Sequence, residues 1–349
     1  MKGEQNVGNL WVGIDWGSTH FRAYLFSDER VVKTISTNDG ILGFGESDKS
    51  EHSSKSKLFE IFLAEQLGKW SLASQTLVLM AGMVGSKNGW LECDYISCPC
   101  GADELKSGLQ LVSNTLNLRL YIVAGVMFDS TLIAKEDCYD RQAQVDVMRG
   151  EELQIIGAAA DIKGDFDGHS VNICLPGTHS KWAQLNRGKI QCFNTYMTGE
   201  LFALLGQHSS LKGVLGADSD DIQLDEQMFV QTLAQVSASA SNQALSQQLF
   251  SIRALAMTKG LTPMAANSRL SALLIAQEFA QQLAIGAFSH FYLVASKQLI
   301  RPYQLAADFY GVECRVLNSQ KVTCNGLIQL AKTVDFEMNN IDAAGVAHE

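Results

Sequence analysis

Two short segments of this 349-residue chain limit its fold more than any other feature. GSTHFRAYL begins at Gly17 and GTHSKWAQL begins at Gly177. Aligned without a gap, Gly17 meets Gly177, Ser18 meets Thr178, Ala23 meets Ala183 and Leu25 meets Leu185. Three identities in nine are too few by themselves to prove a repeat. The shared placement argues for a duplication, because each segment follows one apolar run and opens another. LWVGID at 10–15, FRAYLF at 21–26 and VVKTI at 31–35 form a first β-meander. VNICL from Val171, KWAQL and IQCFNTYM form a second, with 186–188 as a turn.

Each meander's first turn has the chemistry of an anion cradle. Glycine permits φ > 0 and close backbone approach. Successive N–H groups can then converge on phosphate oxygens, with neighbouring hydroxyls as added donors. Only the first turn carries an acid, Asp15; the second has Pro176 before its glycine. A carboxylate there suits a magnesium ion held through its waters, because hard cations prefer oxygen.

The rest of the chain repeats one order of elements. Leu58 to Trp70 places Leu58, Phe59, Phe62, Leu63 and Leu67 on a helical face. TLVLM at 76–80 and RLYIVA at 119–124 predict strands, and 151–160 predicts a helix. After the second meander come a helix from Glu200 that carries Leu201, Leu204 and Leu205, and Gln/Ala/Ser-rich helices over 220–258. The helix 270–285 and the strands 291–295 and 312–317, with a helix between them, complete the pattern, followed by a helix over 327–334. Gly43 to Lys57 is polar and predicts a surface loop. The alternation is α/β.

Charge and apolar content narrow the function classes. A net charge of −10 argues against a nucleic-acid footprint. The absence of an 18-residue apolar run or a leader-like block at the N-terminus argues against membrane or secretory roles, so a cytoplasmic protein is expected. Cys93, Cys98 and Cys100 lack zinc-ligand spacing and predict free thiols.

IDWGSTHFRAYLF, AGMVGSKNGW, VMRGEELQIIGA, LPGTHSKWAQL and TYMTGELFALL together resemble the 2-dehydro-3-deoxygalactonokinase family. The resemblance covers most of residues 11–335. It implies the sugar-kinase, heat-shock-70 and actin superfamily: two actin-like, ribonuclease H-like βββαβα domains with an interdomain cleft. The implied division is 9–148, 149–335 and a tail from 336 to 349. The implied activity is ATP-dependent, magnesium-assisted phosphorylation of 2-dehydro-3-deoxygalactonate at its 6-hydroxyl. Kinases of another sugar or aldonic acid, and a weakly active or non-catalytic relative, are the alternatives. A phosphatase of the same superfamily is a further one. The sequence allows a homodimer without specifying one.

Carried over by position, Asp15, Gly17, Ser18 and Thr19 match the first phosphate motif, and Gly177, Thr178 and His179 the second. Phosphoryl transfer also needs a group that takes the hydroxyl proton. RGEELQIIG stands where related sugar kinases carry GDQQAALFG, which favours Glu151 over Glu152 as the base and leaves both open. Arg149 is the cation for the acceptor's carboxylate. The loop 82–90 supplies Ser86, Asn88, Gly89 and Trp90 to the sugar. Arg22 and Lys181 follow the two turns. Family members carry a Gly-rich turn after the strand at FYLVA, on the adenosine side; here Ser296 stands there, and Ala272 and Ala276 occupy positions where glycine is common.

Overall fold

The computed structural model describes residues 9–44, 52–132, 144–162, 170–216, 223–239, 243–286 and 288–345. Part of the expected polar loop (45–51) and the last four residues of the expected tail lie outside them.

The strands are β1 (Leu10–Trp16), β2 (Phe21–Ser27), β3 (Arg30–Thr37), β4 (Leu77–Ala81), β5 (Tyr95–Ser97), β6 (Gln110–Val112), β7 (Arg119–Ile122), β8 (Gly125–Asp129), β9 (Val145–Met148), β10 (Val171–Leu175), β11 (Ser180–Asn186), β12 (Lys189–Tyr196), β13 (His290–Val294) and β14 (Glu313–Leu317). The helices are α1 (His52–Leu67), α2 (Ala102–Ser107), α3 (Glu151–Asp161), α4 (Thr198–His208), α5 (Lys212–Leu215), α6 (Glu226–Ser239), α7 (Leu245–Lys259), α8 (Pro263–Ile285), α9 (Lys297–Tyr310) and α10 (Ser319–Gly345).

The duplication inferred from the two glycine turns appears in the sheets. The first has the order β3-β2-β1-β4-β7-β6, and the second β12-β11-β10-β13-β14. Each sets a meander beside strands that join in parallel: β1 with β4 and β4 with β7, then β10 with β13 and β13 with β14. Ala23 and Ala183, and Leu25 and Leu185, are buried in corresponding strands. Strand β1 is apolar along its middle because it lies centrally; β3, with Arg30 and Lys33, is the exposed edge. A small third sheet, β5-β8-β9, was not foreseen, since its strands are only three to five residues long.

The chain divides into two compact units. One comprises Met1–His169, Leu185–Cys192 and Gln320–Glu349; the other comprises Ser170–Gln184 and Phe193–Ser319. The boundary expected at 148/149 therefore falls inside the first unit, and the expected tail continues helix α10 as far as Gly345. The reason is a helix crossing. A Cβ on Gly157 of α3 would run into the Val322 carbonyl of α10, and one on Gly326 of α10 into the Leu153 carbonyl of α3. Only glycines let these backbones approach so closely. Leu327 of α10 also fills the space over Gly13 in β1.

In the first unit Phe59, Leu63 and Leu67 of α1 are buried, with Phe59 stacked between Phe44 and Trp90. Leu58, expected on that face, is 50% exposed; it lies about 100° around the helix from Phe59. In the second unit α8 is the central helix, buried along most of its length. Leu201 and Leu204 of α4 are exposed, because α4 packs through Phe202 and Leu205.

Candidate functional site

The first unit gathers its polar groups where β1 and β4 end. Asp15 lies opposite Arg22 in the β1–β2 ladder, and Arg22 Nη1 donates to Asp15 Oδ2 at 3.2 Å. Burial pushes the Asp15 carboxyl above the usual aspartate range, and the Arg22 guanidinium opposes that shift. The turn that follows is held from behind. Gly17 N donates to His20 O, Ile41 N to Gly17 O and Leu42 N to Ser18 O, while Thr19 Oγ1 meets the His20 ring at 2.8 Å. Gly40 packs so tightly under Ser18 and Thr19 that no side chain fits there.

The expectation that Gly17 and Gly177 adopt positive φ is not met at either position. Openness is what glycine supplies there. A Cβ on Gly177 would meet nothing within 4 Å, and one on Gly17 only His20 O at 3.8 Å. The positive φ values of this region belong to Gly82 (96°) and Gly150 (109°). A Cβ on Gly82 would lie 2.8 Å from Trp16 O, and one on Gly150 would lie 3.2 Å from Gly82 Cα. This stack of backbones sets the start of α3 beside the end of β1. Asp15 and the Glu151–Glu152 pair thus lie on backbone segments that pack on either side of Gly82 within one unit.

The two glutamates differ sharply. Glu151 is half-buried at the first position of α3, and its Oε2 accepts the Arg149 N–H. Glu152 is fully buried; its Oε2 accepts the Gly150 N–H at 2.6 Å, while Oε1 has no partner among the described residues. Burial first, then the neighbouring Glu151 charge, lift the Glu152 carboxyl to about 8. Below that pH Glu152 is a neutral acid.

Arg149 lies over the Tyr95 ring at 4.4 Å, and its Nη2 donates to Cys93 O at 2.6 Å. Its Nε and Nη1 are covered by protein and lack partners among the described residues. In the 82–90 loop, Ser86 Oγ donates to Met83 O and Asn88 is exposed. Two expectations for this loop need correction. Trp90 is a core residue, stacked on Phe59 with its Nε1 donating to Ser56 Oγ, so its indole is not offered to a sugar. Gly89 is a packing glycine, pressed against the Val84 carbonyl. The loop folds back on itself because Gly89 N bonds Ser86 O and Trp90 N bonds Val84 O.

The second unit builds its turn from Gly177, Thr178 and His179 at the end of β10. The N-terminus of α4 presses on it. Gly199 has no room for a side chain against Gly177 O, and Glu200 N donates to Thr178 O at 2.9 Å. Glu200 Oε2 meets His179 Nε2 at 2.7 Å. Thr178 and His179 are exposed. Lys181 is buried in β11, so it is not displayed beside the turn as Arg22 is beside Asp15.

On the nucleotide side, Ser296 is the exposed residue preceding α9, with φ −66° and ψ 156°. That is ordinary extended backbone, so the departure from glycine brings no strain at this position. Ala272 and Ala276 are fully buried in the core of α8.

Sequence reasoning missed Glu278. It sits in α8, is wholly buried, and gathers Ser180, Trp182, Thr198 and Tyr303 as donors. Its signal was the one charged residue in the run LSALLIAQEFAQQLAI, where a buried charge requires partners. Among the described residues no cluster of three or more His, Cys, Asp or Glu side chains is arranged to hold a metal ion. All seven described cysteines are free, and no described helix is long and apolar enough to cross a membrane.

Two sheets that share a five-strand order, the first extended by β6, each with a glycine turn in its meander, define an actin-like two-domain fold of the kind used by sugar kinases. The sequence profile of the 2-keto-3-deoxy-galactonokinase family matches residues 15–330. The chain belongs to that family. It is 30% identical over 325 residues to the 2-dehydro-3-deoxygalactonokinase of Escherichia coli strain K12, covering 93% of this chain and 98% of that one. It is 29% identical over 330 residues to a Rhizobium meliloti protein assigned the same activity, covering 94% and 98%. A crystal structure of a Sinorhizobium meliloti protein given that assignment superposes with a TM-score of 0.78 at 26% identity, covering 93% of this chain and 99% of that one.

Proposed function

We propose that this protein transfers the γ-phosphoryl group of ATP to the 6-hydroxyl of 2-dehydro-3-deoxygalactonate. The observation that supports this reading best is the backbone stack at Gly82 and Gly150, which packs the start of α3 against the end of β1, the segments that carry Glu151 and Asp15. Family membership supplies the acceptor.

In this reading the 6-hydroxyl oxygen bonds to the γ-phosphorus as the bond from that phosphorus to the β–γ bridging oxygen breaks. ADP leaves with the electron pair, and Glu151 takes the hydroxyl proton. The turns at Gly17 and Gly177, each open on its glycine side, bind phosphate oxygens through backbone N–H groups and the hydroxyls of Ser18, Thr19 and Thr178. His179 is held by Glu200 next to its turn. Asp15 is the residue that fits a magnesium ion: a half-buried carboxylate at a strand end, suited to an ion that keeps most of its waters. Magnesium bound there would neutralise charge on the β- and γ-phosphates. Ser86 and Asn88 serve the acceptor, and Ser296 the nucleotide.

Arg149, next to Glu151, is the cation proposed for the acceptor's carboxylate; its Nε and Nη1 are covered in this structure and must be uncovered to reach that carboxylate. Hydrogen bonds to charged groups are worth about 1.5–3 kcal/mol. Arg149→Met is therefore expected to raise the KM for the sugar acid by roughly ten- to a hundredfold, with the KM for ATP unchanged. Unchanged KM for the sugar acid with a lowered Tm would make Arg149 only a brace between β9 and the Cys93 segment. Two-dimensional phosphorus–proton NMR of the product tests the site of transfer. The proposal requires coupling to the C6 protons and no product when magnesium is chelated.

A further inference from the structure

We propose that Glu278 is a positioning residue for ATP: its carboxylate locks the second glycine turn and the N-terminus of α4 into one phosphate-binding shape. The inference rests on the assignment of the Gly177–His179 turn to phosphate made above.

The geometry is specific. Glu278 Oε2 accepts from Ser180 Oγ at 2.9 Å and from Trp182 Nε1 at 2.8 Å. Its Oε1 accepts from Tyr303 OH at 2.8 Å and from Thr198 Oγ1. These four donors use the acceptor capacity of one carboxylate. They come from three elements besides α8: β11, α4 and α9.

Two of the donors flank the turn. Ser180 follows His179 directly, and Thr198 precedes Gly199, whose backbone presses on Gly177. Glu278 thus ties together the strand that leaves the turn and the helix that backs it. The same helix end then bonds the turn directly, from Glu200 N to Thr178 O. A fully satisfied buried network of this kind rigidifies its surroundings. An apolar side chain at 278 could fill the same volume, so packing alone does not account for an acid there. Burial raises the carboxyl above the usual glutamate range, and its four hydrogen bonds oppose that shift.

A backbone cradle binds phosphate well only if its N–H groups already point inward before the ligand arrives. Loosening Ser180 and Thr198 would let the turn and α4 separate without touching any group that contacts ATP. Thr198→Val removes one tether and keeps the side-chain shape; Ser180→Ala removes the other. Glu278→Ala removes both, and Glu278→Gln keeps one oxygen that accepts from Trp182 Nε1 and Ser180 Oγ and an amide NH2 that can donate to the Thr198 and Tyr303 hydroxyls.

The experiment is calorimetric titration of the full chain and its variants with ATP and magnesium, which needs no acceptor, together with Tm for each variant. Expected are about tenfold or greater rises in the Kd for ATP for Thr198→Val, Ser180→Ala and Glu278→Ala, with Glu278→Gln recovering most of the loss. Should Glu278→Ala fail to fold, the two tether variants carry the test. Gly177→Val is the reference variant for the turn itself. If it weakens ATP binding while both tether variants stay within twofold of the parent, Glu278 serves stability alone and the proposal is overturned. If Gly177→Val also leaves the Kd unchanged, the phosphate assignment of the turn fails and takes this proposal with it.

Discussion

Asp15→Asn is expected to lower kcat/KM by about a hundred- to a thousandfold, the usual cost of losing one electrostatic contributor to a transition state. Asparagine keeps the shape of the side chain and can still accept from Arg22, so the fold should survive. The Arg22–Asp15 pair is partly exposed, and pairs of that kind contribute about 1 kcal/mol or less. A Tm within a few degrees of the parent, together with the rate loss, separates chemistry from folding. The loss should fall on turnover rather than on the KM for the sugar acid, because Asp15 is assigned to the phosphate side. An Asp15→Asn enzyme with full turnover would remove this carboxylate from the mechanism.

The second large effect concerns the adjacent glutamates, which give opposite results when each is changed to glutamine. Glu151→Gln should cost about a hundred- to ten-thousandfold in kcat, the range for a lost general base. Glu152→Gln should leave turnover near the parent's, since Glu152 is already neutral below pH about 8 and glutamine mimics that form. A raised carboxyl pKa makes the folded state bind more protons than the unfolded one between about pH 4.5 and 8. Its contribution is therefore fully favourable below pH about 4.5 and is lost as pH rises through about 8. The Glu152→Gln variant should show a shallower fall of stability across that window in denaturant titrations. If instead Glu152→Gln abolishes turnover and Glu151→Gln does not, the roles are exchanged.

The elements that position this site were legible in the sequence where they follow strong local rules. The two meanders showed in their apolar runs and glycine turns, and the shared order of the sheets follows from that duplication. Glu151 and Asp15 were also visible as acids next to glycines. What could not be read is what depends on contact between distant segments. Trp90 looks like a ligand-stacking residue beside three glycines, and only the fold shows Phe59 covering its face. Gly157 and Gly326 bring α3 and α10 together across a long sequence separation, which moves the division of the chain away from 148/149. Glu278 lies in a helix whose periodicity says only that it is buried. Its four partners lie 25 or more residues away along the chain.

Glycine was the least transparent residue type. At Gly17 and Gly177 the expected role was a left-handed backbone, and the observed one is an unobstructed turn. At Gly82 and Gly150, where the left-handed backbone does occur, neighbouring main chains also leave little room for a side chain. At Ser296, where the family resemblance implies a Gly-rich turn, the backbone is ordinary extended and needs no glycine.

ADP formation by the full chain under steady state, with magnesium and a panel of acceptors, tests most directly whether this protein is an ATP-dependent kinase of one sugar acid. Expected is a kcat/KM of at least about 10⁴ M⁻¹s⁻¹ for 2-dehydro-3-deoxygalactonate, with hexoses and other aldonic acids lower by about a hundredfold or more, the discrimination a site that hydrogen-bonds its substrate can reach. Turnover that prefers a hexose, or ADP release at the same rate with no acceptor present, would contradict it.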